Sequence, residues 1–462
     1  MDTEMQASMN YTLLSCPARI TIAVMKTLSL GRKMSYAVGG LALNFANLLI
    51  SQWLLRLYVP SLDGALVPVG LFSIIFLAGR IMDGITDPIV GYLSDHLRSR
   101  FGRRIPFITL ALIPTALVSF LMWVPPVPGH MDWANGVFIF VMVQLFFIFW
   151  TLLANPYMSL LPELSADPKE RVDISTMQAF FIMLGTILGS TIGSIKEAAG
   201  WLGLGLTVGV LTIVSFLPTI LFVREPAMLA GQSATGAAPG VTHKPGISDL
   251  YRWILLTFRN PPFVLYLIAT AIFWFSLNIM ILLVPFWVEH VTGKGDGDVI
   301  FVMLPYVVAN LAAFFAANTA SKRWGKYPVY LVTLFGSGLV SLALCLVGLL
   351  PGDRFLQTQV VMGLYGVTTA GFLMLPNAIL ADIVDYDAAR CGERREAIHF
   401  GVQAVFQKLS IGLSIAVASA LMYAGGSQKP TVLGLKLIAS CAGAAGLAAG
   451  LVFTKYGLRE KA

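Results

Sequence analysis

Unbroken apolar blocks constrain this chain more than any other feature. Between residues 134 and 162 no side chain carries a formal charge, and blocks of similar length recur along the sequence. About 20 apolar residues cross a bilayer as a helix, and a helix satisfies all of its own backbone polar groups in lipid. Hydropathy predicts spans at 34–59, 65–94, 105–124, 134–162, 174–195 and 201–223, then at 261–288, 297–320, 328–350, 358–384, 398–424 and 431–454. The blocks are continuous, unlike the short alternating segments of a transmembrane barrel. Composition agrees: of 462 residues 57% are hydrophobic and 12% charged, against roughly 25% charged in soluble domains. The expected fold class is an all-α integral membrane protein with twelve transmembrane helices in two six-helix halves.

The longest polar stretch, 224–260, holds a small-residue run from Ser233 to Gly240 and reads as a linker. The predicted organisation is a tail over 1–32, a first half over 33–223, that linker, a second half over 261–456 and a tail over 457–462. A net charge of +7 would point to nucleic acid in a soluble protein. Here 23 Lys and Arg fall in the tails and connectors of one side and four in those of the other, namely Lys196, Lys294, Arg354 and Lys429. That bias is the positive-inside pattern, so both termini and the linker are expected in the cytoplasm, with no nucleic-acid partner. The tail lacks a signal peptide's apolar core. Cys16, Cys345, Cys391 and Cys441 show no metal or disulfide spacing. Gly185, Gly189 and Gly193, and likewise Gly443, Gly446 and Gly450, are spaced to let helices approach closely.

An ionisable side chain inside the bilayer costs at least ~2.5–3.5 kcal/mol and marks a coupling or transport site by default. The second span reads Gly79-Arg80-Ile-Met-Asp83-Gly-Ile-Thr86-Asp87-Pro88, which puts Arg80, Asp83 and Asp87 on one helix face. Two carboxylates one turn apart in low dielectric must share a proton, hold a metal ion or pair with Arg80. Thr86 adds a hydroxyl, and Pro88 frees a carbonyl near Gly84; such an oxygen-rich set suits a hard monovalent cation. An Arg80–Asp83 salt bridge with a purely structural role would leave Asp87 unexplained. Lys408, inside the eleventh span, has no local acid; it either finds a partner on the second span or snorkels to the interface, and the first is expected. Arg56, near a span end, is expected to snorkel to the interface. The uncharged Asn44, Asn47, Asn155, Gln178, Asn278 and Asn377 leave two readings open, solute contact or a hydrogen bond to a neighbouring helix.

Between the second and third spans, Gly91-Tyr-Leu-Ser-Asp95-His-Leu-Arg-Ser-Arg-Phe-Gly102-Arg103-Arg104 places Asp95 at a helix end where it can pair with an arginine and lock one conformation. A weaker echo, Lys322-Arg-Trp-Gly-Lys326, follows the eighth span, as a duplicated six-helix unit would produce.

These residues resemble the major facilitator superfamily. Within it, Arg80 to Pro88, Asn155 to Leu164, Ala381 to Tyr386 and Gly392 to Glu396 resemble the glycoside-pentoside-hexuronide:cation symporters, over about 31–456. The resemblance implies a sodium site at Asp83 and Asp87 with Thr86 and Thr151 as further ligands. It also implies substrate contacts at Asn44, Arg80, Asn155, Gln178 and Lys408, and conformational roles for Asp95, Arg103, Arg104, Asp385 and Arg394. Family carboxylates that clamp sugar hydroxyls correspond to Asn44 and Ala154, so galactosides are not expected as substrates. The function expected is symport of a sugar- or glycoside-like solute with Na+ or H+ across the cell inner membrane by alternating access, with no cofactor, no catalytic residues and a monomeric unit. The alternatives are carriage of an amphiphile such as a lysophospholipid and a membrane-embedded sensor.

Overall fold

The computed structural model describes residues 28–61, 64–97, 99, 101–165, 168–225, 257–391, 396–423 and 429–458. Most of the first tail, linker residues 226–256, the end of the second tail and Arg394, for which a conformational role is expected, lie outside the described residues.

Thirteen α-helices carry the described chain, and among the described residues there is no strand. They are α1 (Leu30–Ala37), α2 (Gly39–Tyr58), α3 (Val69–His96), α4 (Ile105–Leu121), α5 (Trp133–Leu164), α6 (Pro168–Ser190) and α7 (Ile192–Phe222), then α8 (Pro261–Trp287), α9 (Val299–Trp324), α10 (Lys326–Ala343), α11 (Arg354–Cys391), α12 (Glu396–Met422) and α13 (Val432–Phe453). α1 runs into α2 across Val38, whose backbone is itself helical. Counted with that pair as one, ten helices are long and apolar enough to cross a bilayer. The other two span positions belong to α4, with 17 residues, and α6, which opens on Pro-Lys-Glu-Arg before turning apolar. The order therefore gives six spans on each side of the linker. α7 begins nine residues before the predicted span; Gly200 sits inside it at φ 68 and kinks it. That left-handed backbone is open to glycine at little cost, so the predicted boundary at 201 marks a bend within one segment.

The glycine seams pack as their spacing requires. A Cβ on Gly185 would overlap the Leu41 carbonyl of α2, and one on Gly189 would meet Leu48, so α6 seats directly on α2. Gly443 and Gly446 meet Leu342 and Gly338 of α10 in the same way. Close backbone approach replaces the hydrophobic driving force that lipid cannot supply.

At the end of the bundle opposite the linker, polar bonds join the two halves. Arg56, closing α2, pairs with Glu289 and lies 2.5 Å from Asp296; Lys196 reaches the other oxygen of Asp296 at 2.6 Å. Ser194 Oγ donates to the Gly297 carbonyl, Gly297 N donates to Glu197, and Tyr423 Oη donates to the Val59 carbonyl. Arg56 is 8% and Asp296 6% exposed, and the Arg56 guanidinium lies over the Phe286 ring at 5.2 Å. This corrects the expectation that Arg56 snorkels. Its charge is held inside by acids more than two hundred residues away, and the Lys196 ammonium rests 5.3 Å from the Trp201 ring.

Candidate functional site

Halfway along α3 the backbone presents Arg80, Asp83 and Asp87 on one face, and α12 brings Lys408 against them from the other half. The Lys408 ammonium lies 2.9 Å from Asp83 Oδ1 and contacts Asp87 Oδ2, and it also donates to the Asp83 carbonyl at 3.3 Å. Lys408 thus bridges the two acids, of which Asp83 alone has a basic partner on its own helix, Arg80 at 3.8 Å. Close approach is set by Gly412, one turn further along α12. A Cβ there would sit 2.9 Å from Leu77 Cδ1 and 3.3 Å from Arg80 Cβ. Sequence reasoning did not single out Gly412, although a small residue four positions after an intramembrane lysine is the available signal. Replacing it with Val should push α12 off α3 at a cost of roughly 1–3 kcal/mol. Thermal unfolding of the purified variant should show a lower Tm; an unchanged Tm would show that the contact is slack.

α5 supplies the remaining polar partners. Thr151 Oγ1 donates to Asp83 Oδ1 at 2.8 Å, and Asn155 Nδ2 donates to Asp87 Oδ1 at 3.0 Å. These positions are one turn apart, matching the one-turn separation of the acids. The Thr86 hydroxyl donates back to the Met82 carbonyl at 2.9 Å and lies 3.3 Å from Thr151 Oγ1, so the two threonines stand side by side. Asp83 is only 4% exposed, and the hydrogen bonds from Thr151 and Lys408 replace the water it has lost.

Arg80 is 6% exposed and poorly partnered. Its Nη1 stands 3.8 Å from Asp83 Oδ2, while Nη2 makes two 3.5 Å bonds, to Asn47 Oδ1 and Ser51 Oγ. Its Nε has no hydrogen-bond partner among the described residues. The rings of Phe147 and Phe76, at 4.7 and 5.3 Å, surround the guanidinium and supply cation–π attraction instead.

Asp83, Asp87, Thr86, Thr151, Arg80, Asn155 and Lys408 therefore form one constellation. Asn44 and Gln178 do not join it. Asn44 Nδ2 is spent on the Thr186 hydroxyl and the Ile182 carbonyl, and Gln178 Nε2 on Tyr36 Oη and Met158 Sδ. They lock α6 to the first span, where Tyr36 stacks on Tyr157 at 4.6 Å.

The conformational candidates are distributed along the linker end. Arg103 and Arg104 both bond Glu163 of α5, at 3.0 and 2.7 Å. Glu225, three residues past α7, accepts the backbone N–H groups of Arg103, Arg104 and Ile105, and so caps α4 and satisfies donors that a helix start leaves unpaired. Glu225 was missed in the sequence because its partners are backbone groups. Asp385 is exposed near the end of α11, and Asp95 lies in the last turn of α3, with its side chain outside the described set.

The geometry offers acid oxygens and hydroxyls to a monovalent cation, with an ammonium already occupying that place. Among the described residues no cluster of three or more His, Cys, Asp or Glu gathers as a transition-metal site.

Comparison with known proteins bears on the family and the fold. The family model described as MFS/sugar transport protein matches residues 35–455. An isoprimeverose transporter from Lactiplantibacillus pentosus is 25% identical over 410 residues, covering 85% of this chain and 80% of that protein. A sodium-dependent lysophosphatidylcholine symporter 1-B from Danio rerio is 26% identical over 497 residues, covering 98% and 92%. Among solved structures, the inward open xylose transporter XylE from E. coli matches with a TM-score of 0.66 at 14% identity, covering 93% of this chain and 96% of that one. The nucleoside transporter NupG matches at 0.67 and 11%, covering 94% and 100%. At such identities the two structures speak for the fold alone.

Proposed function

Since the chain belongs to the MFS/sugar transport protein family, multi-pass membrane transporters rather than enzymes, we propose that it is a symporter carrying a glycoside-like solute together with sodium. The observation that carries this reading is the partly buried Asp83–Lys408–Asp87 arrangement at the contact between the two halves. A coupling cation and the Lys408 ammonium compete for the same carboxylate oxygens. Cation binding therefore changes what holds α3 to α12, and this is how occupancy of the site can alter the balance between states open to either side. By linkage, a solute that favours the cation-bound state raises cation affinity by the same factor that the cation raises its own. Thr86 and Thr151 supply neutral oxygens that a metal cation uses and a bare proton does not need, which is why sodium is preferred over H+. No cofactor is required beyond the coupling ion, and a single chain holds the whole cluster, in keeping with a monomeric unit.

A second reading, carriage of a lysophospholipid, is favoured by the match to the Danio rerio symporter across 98% of this chain. Uptake of a panel of glycosides and of lysophospholipids, neutral and anionic, into proteoliposomes, under a sodium gradient at fixed pH and then under a proton gradient without sodium, tests both. Sodium-driven accumulation of at least one member of the panel is expected. Accumulation that follows the proton gradient and ignores sodium would make the threonines packing residues and the ion assignment wrong.

The proposed location is the cell inner membrane with both termini inside. Reporter fusions at Ala237 and at the carboxyl terminus are expected to score cytoplasmic, in line with the bias of basic residues; a periplasmic signal at either position overturns the topology.

A further inference from the structure

Four formal charges stand in the middle of the described helices: Asp83 and Asp87 against Arg80 and Lys408. The other charged side chains of these helices sit toward helix ends, where Arg56, Glu289, Lys196 and Asp296 pair among themselves. The central cluster is therefore neutral before any ion enters. A coupling cation, sodium or proton alike, leaves it with one positive charge in excess, deep between helices where an uncompensated charge is strongly disfavoured. No further described acid is near enough to absorb it, since the next polar groups on α5 and α2 are the neutral Thr151, Asn155, Asn47 and Ser51.

We propose that the co-transported solute carries one negative charge, which balances the coupling cation and docks on Lys408 and Arg80. This inference rests on the symport reading above and adds the charge class of the solute. The receiving groups are already visible. When a cation takes the acid oxygens, the Lys408 ammonium, whose side chain is 19% exposed, loses its two carboxylate partners. Arg80 meanwhile has an unbonded Nε and two Nη2 bonds stretched to 3.5 Å, a large unused capacity in a residue with five donors. A carboxylate, sulfonate or phosphate oxygen is the complement of both. The cation thus creates the anion site by releasing the lysine, and the anion stabilises the bound cation by cancelling its charge. Transport in this scheme is electrically silent at one cation per solute.

Matched probes differing in charge test the inference. Sodium affinity of the purified protein is measured with radioactive sodium, and again as a function of pH by probe binding, in the presence of methyl glucuronide or its neutral twin methyl glucoside, and of lysophosphatidylglycerol or neutral monoacylglycerol. In at least one pair the anionic member is expected to raise cation affinity tenfold or more over the neutral one. Which pair responds tells a sugar acid from a lipid phosphate. A neutral member that acts as strongly as its anionic twin, or four inactive probes, overturns the proposal while cation binding alone leaves symport standing. If neither sodium nor pH affects any probe and no sodium binds, the symport reading falls and this proposal with it. A second measurement uses Ala154→Asp, which adds an acid three residues after Thr151 and one before Asn155. It should raise sodium affinity at least tenfold without any solute and remove the advantage of the anionic probes. A folded variant with unchanged sodium affinity also counts against the proposal.

Discussion

Asp87→Asn abolishes sodium-driven accumulation while leaving downhill exchange of solute measurable. The carboxylate is one of two that Lys408 bridges, and it also accepts the Asn155 amide. Removing it takes a full charge from the cation's ligands, and losing one partner of a mostly buried pair costs on the order of 3 kcal/mol, roughly a 100-fold loss of ion affinity. Exchange persists because movement of a bound solute between two faces needs no gradient. Asp83→Asn should be at least as severe, its acid being the more buried and bonded by both Thr151 and Lys408. Thr151→Ala removes a single uncharged ligand, whose hydrogen bond to the Asp83 carboxylate contributes about 1.5 kcal/mol, and should weaken sodium dependence only about tenfold. The measurement is uptake into vesicles with an imposed sodium gradient. Full accumulation by Asp87→Asn would mean that the cation binds elsewhere.

The second large effect is expected at the end of the bundle opposite the linker. Asp296 receives Arg56 from α2 on one oxygen and Lys196 from α7 on the other, so Asp296→Asn strips two cations of their shared partner in one step. Breaking a buried pair from one side costs roughly 3–5 kcal/mol, enough to move a conformational equilibrium by about 100-fold or more. The variant should spend much more time open at this end. On a background without native cysteines, a cysteine replacing the exposed Asn47 on α2 should then react with an impermeant thiol reagent from that side far faster than in the parent. Equal labelling rates would show that the ion pairs do not hold the halves together. Arg56→Gln should act in the same direction.

Much of this could be read from the sequence for reasons of local physics. A helix period alone placed Arg80, Asp83 and Asp87 on one face, and the cost of a lone ammonium in lipid favoured an acid partner for Lys408 over snorkelling. Gly185 and Gly443 announced close packing through their spacing. What could not be read are partnerships between distant segments. Arg56 near a span end looks the same in a sequence whether it reaches outward to lipid headgroups or inward to Asp296. Asn44 and Gln178 carry no mark showing that their amides are spent on α6 and Tyr36. Glu225 looks like an ordinary residue at the start of a linker, and its function as the cap of α4 depends on where α7 delivers it.

The short third span has a consequence outside the protein. At 1.5 Å per residue the 17 residues of α4 reach about 26 Å, less than the ~30 Å of a typical hydrocarbon core. Its lipid-facing side is strongly apolar, with Leu110, Ile113 and Leu117 all more than half exposed, and Arg103 and Arg104 stand immediately before its first turn. A typical bilayer can meet this flank only by thinning or by the flanking arginines reaching to its surface, so acyl-chain length becomes a variable expected to act on the transporter. Membranes of shorter chains relieve the mismatch, whereas thick, ordered ones strain the very helix that Glu225 ties to the start of the linker.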